Sequence, residues 1–206
     1  EYFRDDQKKN ILFFADNMFR YIQARNELAT ILGQIPNEGG YEPTIFSDVK
    51  VLQDRLSSNE NGSITSMQTI YVPADDISDP AVQMIQHELD ATMVLSRAVA
   101  EQGIRPAVDL NKTSSSLLTP EIVGERHYML SVQVQALLQK YESLKSIIAI
   151  IGENELSPAD RADFAKAKKL IQNFTQDMHV MEKHNGVAGQ SFTRDETLAS
   201  IEEIIA

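Results

Sequence analysis

Residues 11–15 read Ile-Leu-Phe-Phe-Ala, an unbroken apolar run, and the next residue is an acid, Asp16. A strand with one wet face alternates apolar and polar residues. A continuous run belongs to a strand covered on both faces, as in a parallel sheet layered with helices. Residues 1–7 read as the end of a helix, running into a polar turn from Asp5 to Asn10. Beyond the strand, residues 17–33 carry Met18, Tyr21, Ile22, Leu28, Ile31 and Leu32 at helical spacing and stop at Gly33.

The alternation continues. Residues 35–44 form a Gly- and Pro-containing loop, and 45–57 read as a helix. "NENG" at 59–62 is a turn, 63–72 a second strand ended by Pro73, and 74–80 an acidic loop. A long helix is expected over 81–102, closed by Gly103, then a short third strand at 104–109 and a polar loop at 111–116. Strands alternating with helices predict an α/β layer with parallel pairing. The pattern changes at Thr119-Pro120-Glu121, which has the chemistry of a helix start. Only helical periods follow, at about 121–149, 157–173, 176–184 and 194–205, so the chain reads as α/β over 1–118 and an all-helical bundle over 119–206.

Lys and Arg number 19 against 30 Asp and Glu, a net charge of −11 with no clustered basic face, which argues against nucleic acid as a partner. Cysteine is absent, which excludes disulfides and thiolate metal sites. No apolar run approaches the roughly 18 residues of a membrane span. His87, His127, His179 and His184 lack paired-ligand spacing, and neither GxSxG nor GxxxxGK[ST] occurs. Asp16 remains the most suggestive group. A carboxylate at the carboxyl end of a buried strand points into the crevice where α/β sheets bind ligands, although an acid there also serves simply as the N-cap of the next helix.

Several segments occur in one order: "EYFRD", "LGQIP", "GSITSMQTIYVPADDISDP", "LDATMVLSR", "GIRPAVD", "IVGERHY" and "YESLKSIIAIIGENELS". Together they resemble the catalytic (beta) subunit of F-type rotary ATP synthases, over nearly the whole chain. "GIRPA" alone looks more like the alpha branch. The resemblance implies the second, Walker B half of a nucleotide-binding domain of the P-loop, RecA-like type, then the carboxyl-terminal helical domain. The family's phosphate-binding loop and its catalytic Glu would lie upstream, so the chain corresponds to the carboxyl-terminal half of a subunit.

The resemblance also assigns roles. Asp16 matches the acid that orients the water shell of Mg2+ on bound ATP or ADP, and Arg20 the Arg that supports the catalytic Glu. Tyr71, just before Asp75 and Asp76, matches a Tyr near the phosphates. Asp76, Ser78 and Asp79 match a loop that grips the central rotor, and Glu153, Glu155, Leu156 and Ser157 the lever that pushes it. Pro158 and Ala159 stand where the lever is usually acidic, leaving Asp160. Arg105 replaces the Tyr that stacks adenine, and Met178 and His184 fall at or near the Phe positions. Arg25 and Ser116 are further departures, marking a diverged member. The expected partners are alpha-type subunits in an alternating hexamer and a gamma-type central rotor. The expected location is peripheral, on the cytoplasmic face of a membrane or the matrix side of an organelle.

Overall fold

The computed structural model of the chain describes residues 1–35 and 40–206. The central part of the 35–44 loop therefore lies outside the described residues. Two compact units emerge, Glu1–Leu89 and Asp90–Ala206.

In the first unit, β1 (Ile11–Ala15) and β2 (Ile64–Gln68) pair in parallel, with Ile11 opposite Ile64 and Ala15 opposite Gln68. The helices are α1 (Tyr2–Asp5), α2 (Met18–Ile31), α3 (Ile45–Arg55) and α4 (Pro80–His87). The core follows helical spacing: Met18, Phe19 and Ile22 of α2, Ile45 and Val49 of α3, and Ala81, Val82 and Ile85 of α4 are buried against one another. Gly33 ends α2 at φ +76°, in the left-handed region, as expected of a helix-closing glycine.

β1 departs from expectation. Leu12 and Phe14 are 59% and 62% exposed, and Met67 on β2 is 59% exposed, so the sheet is covered on one face rather than two. Among the described residues the sheet has only these two strands, and the helices pack to the side of Ala15. β2 is also shorter than the 63–72 run, because after Gln68 the chain turns away to serve the ends of β1.

A buried Arg4 ties α1 down. Its Nε and Nη2 grip Asp5 at 2.7 and 2.8 Å, while Nη1 donates to the carbonyl of Ser57 at 2.5 Å. That guanidinium, with Asn59 donating to the same acid, holds the Asp5 carboxyl well below the usual carboxylate range. Gly62 packs here because a Cβ would meet the Lys9 carbonyl oxygen at 2.6 Å.

The second unit comprises β3 (Ala91–Thr92), α5 (Arg97–Glu101), β4 (Ser114–Ser115), α6 (Pro120–Val123), α7 (Glu125–Ile151), α8 (Pro158–Asn173), α9 (Glu182–Asn185) and α10 (Arg194–Ile205). Leu130 of α7, Leu170 of α8, and Leu198 and Ile201 of α10 form its core. α7 and α8 make a hairpin in which the Tyr141 and Phe164 rings stack at 4.8 Å and Lys140 bridges Asp160 and Asp163 at 2.8 and 2.6 Å.

Three expectations for this region are corrected. The 81–102 helix breaks after His87, because the backbone of 90–96 bonds across to 107–116 instead: Ser116 N to Asp90 O at 2.8 Å, Asp109 N to Val94 O at 2.8 Å and Ser96 N to Ala107 O at 2.9 Å. For the same reason 104–109 is not a strand; it contributes only a bridge from Val108 to Leu95, and the short β3–β4 pair is antiparallel. The 176–184 helix is likewise replaced by an extended entry, a 3-10 turn at His179–Met181 and the one-turn α9. There the backbone partners are remote, with Gln176 N on Arg105 O and Gln190 N on Asp177 O. Gly124, at φ +86°, separates α6 from α7.

Candidate functional site

The carboxyl ends of β1 and β2 are laced together. Thr69 N donates to Ala15 O and Met18 N to Thr69 O, each at 2.9 Å. Asn17 is the N-cap of α2, its Oδ1 accepting from Phe19 N at 2.8 Å and from Tyr71 N at 3.3 Å. The capping duty therefore falls to Asn17 and not to Asp16. The Asp16 carboxylate is exposed at the strand end, with Oδ1 accepting from the Thr69 hydroxyl at 2.8 Å. Asp16 and Tyr71 meet the same lacing, and Tyr71 is 58% exposed. Arg20 lies in the first turn of α2, exposed, its Nη1 donating to Gln23 at 3.0 Å.

After Tyr71 the chain makes a 3-10 turn at Pro73–Asp75. Asp76 Oδ1 accepts from Ser78 N at 2.9 Å, which shapes the loop. Asp79 caps α4 through Ala81 N at 2.8 Å and also receives the Tyr41 hydroxyl at 2.9 Å. Of the acids matched to a rotor-gripping loop, Asp76 is exposed while Asp79 is engaged within the fold.

In the second unit, Arg105 O accepts from Gln176 N at 2.9 Å, bringing the Arg105 turn and the approach to Met178 together. Met178 is 38% exposed, and His184 is exposed within α9. At the hairpin tip, Glu153–Glu155 form a 3-10 turn with exposed acids, Leu156 is buried, and Ser157 caps α8 through Asp160 N at 3.1 Å. Lys140 first, and Ser157 second, hold the Asp160 carboxyl below its ordinary range. A cavity of about 490 Å³ lies among Ile104, Pro106, Val108, Leu138, Ile171 and Phe174.

Residues 1–116 match the model of the ATP synthase alpha/beta family, nucleotide-binding domain. The chain belongs to the ATP synthase alpha/beta family. Residues 117–188 match the C-terminal domain of V and A type ATP synthase. Among solved structures, the chain is similar to the ATP synthase subunit NeqB of Nanoarcheaum equitans, at 23% identity and a TM-score of 0.82, over all of this chain and 50% of that one. The assembled ATPase EscN of the enteropathogenic E. coli type III secretion system matches at 27% identity and 0.81, over all of this chain and 47% of EscN. A prototypical ATPase from the type III secretion system of pathogenic bacteria matches at 28% and 0.72, over 56% of its length. This family member thus spans about half the length of the solved relatives it matches. The family and the neighbours agree with the reading of a diverged carboxyl-terminal half of a beta-type subunit, an α/β layer followed by helices.

Two positioning residues escaped the sequence reading. Thr69 orients Asp16 from 53 residues away, a distance at which only strand register reveals the contact. Asn17 carried a usable signal, since Asn at the start of an apolar-periodic helix is cap chemistry.

Proposed function

We propose that this chain is the carboxyl-terminal half of a beta-type subunit in a ring ATPase that binds Mg-ATP at subunit interfaces and couples its turnover to rotation of a central shaft. The observation that carries the reading is the Asp16 carboxylate: held at a parallel-strand end by Thr69, relieved of capping by Asn17, and exposed. The donor set suits an ion held through water. Among the described residues no three His, Asp or Glu side chains gather closely enough to hold a metal directly, and Asp16 keeps Oδ2 available for a water ligand. Bound Mg2+ would neutralise charge developing on the phosphates.

The chain's own contribution is placement. Thr69 fixes the Asp16 rotamer, Tyr71 borders the same crevice, and Arg20 supplies a cation one helical turn away. The alpha-type neighbour would complete the site with an arginine finger, and the upstream half would bring the phosphate loop and the water-activating Glu. The helical domain beyond residue 118 would swing about a hinge near 109–120, with the exposed Glu153, Glu155 and Ser157 pressing on a gamma-type rotor over the buried Leu156, and Asp76 and Ser78 contacting it at other angles while Asp79 holds their loop. Such a ring would sit peripherally on the cytoplasmic face of a membrane or the matrix side of an organelle; no helix among the described residues is long and apolar enough to cross one.

The likeness to type III secretion ATPases favours a second reading, a beta-type paralogue in an ATP-driven motor without proton coupling. Purifying the native complex separates the two, since proton-channel subunits would copurify only with a synthase. The test of the first claim is Asp16→Ala in the full-length subunit. Hydrolysis of Mg-ATP by the assembled ring should fall at least about a hundredfold, with the ring intact by native mass spectrometry. Retained turnover would remove Asp16 from the proposed role.

A further inference from the structure

Thr69 is held at three points, all within the first unit. Its N–H donates to Ala15 O and its carbonyl accepts from Met18 N, each at 2.9 Å, so its backbone is tied to the chain on both sides of Asp16. The hydroxyl is the third point, donating to Asp16 Oδ1 at 2.8 Å. Branching at Cβ makes a threonine stiff at χ1, and a hydroxyl–carboxylate hydrogen bond is charge-assisted. One oxygen of the exposed Asp16 carboxylate is thereby occupied by the fold, and Oδ2 has no hydrogen bond among the described residues. Asp16 offers a ligand one open oxygen rather than two.

Resting on the Mg-nucleotide reading above, we propose that Thr69 is a positioning residue that sets the ion selectivity of the site, favouring Mg2+ over Ca2+. Mg2+ gives up its waters reluctantly and demands near-octahedral geometry, so it suits a carboxylate that presents one oxygen to a bound water. Ca2+ takes about six to eight oxygens in flexible geometry and accepts a carboxylate by both oxygens at once. With Oδ1 spent on the Thr69 hydroxyl, bidentate capture requires breaking that bond, and water-mediated binding through Oδ2 does not. The hydroxyl therefore penalises Ca2+ and leaves Mg2+ unaffected. Thr69 acts through Asp16 and is not itself a ligand, the way partners of ligating groups tune a metal site.

The test uses the full-length subunit in its ring, with fluorescent N-methylanthraniloyl ADP as the probe and Mg2+ or Ca2+ titrated separately. The readout is the ratio of the two ion concentrations that give half-maximal probe binding, which does not depend on turnover. The parent protein should need less Mg2+ than Ca2+. Thr69→Val keeps the branched shape and the backbone hydrogen bonds but removes the hydroxyl, and it should move the ratio toward Ca2+ by about tenfold. Thr69→Ser keeps the hydroxyl and should return the ratio most of the way to that of the parent. Were Thr69 merely structural, Thr69→Val would weaken binding with both ions together. An unchanged ratio in Thr69→Val, or a shift in Thr69→Ser equal to that in Thr69→Val, overturns the inference while leaving the ATPase reading in place. A parent protein whose probe binding responds to neither ion overturns both.

Discussion

Asp79 serves two partners with one carboxylate. It caps α4 through Ala81 N and accepts the Tyr41 hydroxyl, Oδ2 at 2.9 Å and Oδ1 at 3.1 Å. Burial first, and the Asp79 carboxylate second, push the Tyr41 phenol up from 10.0 to about 12. A raised acid pKa means that the folded state holds the proton more tightly than the unfolded chain. The resulting stability is complete below the unfolded value near 10 and is lost as pH rises through the folded value near 12. Tyr41→Phe should therefore cost about 1 kcal/mol at pH 8, and the deficit should shrink as pH climbs past 10. Urea midpoints of both proteins across that range check this, and a gap that stays constant with pH would show that the phenol's ionisation does not matter. The same contact bears on function, because an Asp79 committed to α4 and Tyr41 leaves Asp76 as the freer acid of that loop.

At the scale of elements, α10 shows how far local chemistry reaches. Thr193 Oγ1 accepts from Glu196 N at 3.3 Å and the Glu196 carboxylate returns to Thr193 N at 2.8 Å, a complete capping box. At the other end, the Lys166 ammonium donates to Ile205 O at 2.6 Å. Thr193→Ala should destabilise the helical unit by about 1 kcal/mol, seen as a lower thermal midpoint with no change in its unfolding cooperativity. Elements like this were legible from sequence because their signals are local: Asn17 to Gly33, Ser157-Pro158 and the 194–205 period all produced the expected helices. The 81–102 and 176–184 stretches were misread because their backbone partners lie elsewhere in the chain, in 107–116 and at Arg105 and Gln190. Apolar period alone cannot distinguish a helix from a segment whose hydrogen bonds are claimed across a loop. Asp16 was legible as a candidate, but its freedom from capping depended on Asn17, and its orientation depended on a strand register that no local pattern encodes.

For the whole molecule, the α7–α8 tip, which is the proposed lever, offers a test of whether the proposed rotation is driven by shape or by charge. Acids are sparse here: Glu153 and Glu155 are exposed, Asp160 is committed to Lys140 and Ser157, and Pro158 and Ala159 carry no charge. Exposed ion pairs are worth about 0–1 kcal/mol each, too little for two glutamates to carry a power stroke. Leu156, by contrast, is only 8% exposed and seats the tip, between the Gly152 turn and the Ser157 cap. Its truncation to Ala should cost about 2 kcal/mol or more and let the tip yield under load. In the assembled motor, Glu153→Gln with Glu155→Gln should leave ATP-driven torque nearly unchanged. Leu156→Ala should lower torque while unloaded hydrolysis continues, because the proposed nucleotide residues are untouched. Single-molecule rotation against viscous load distinguishes the two, and a stall in the double Gln variant equal to that of Leu156→Ala would show that charge, rather than a stiff hairpin, transmits the stroke.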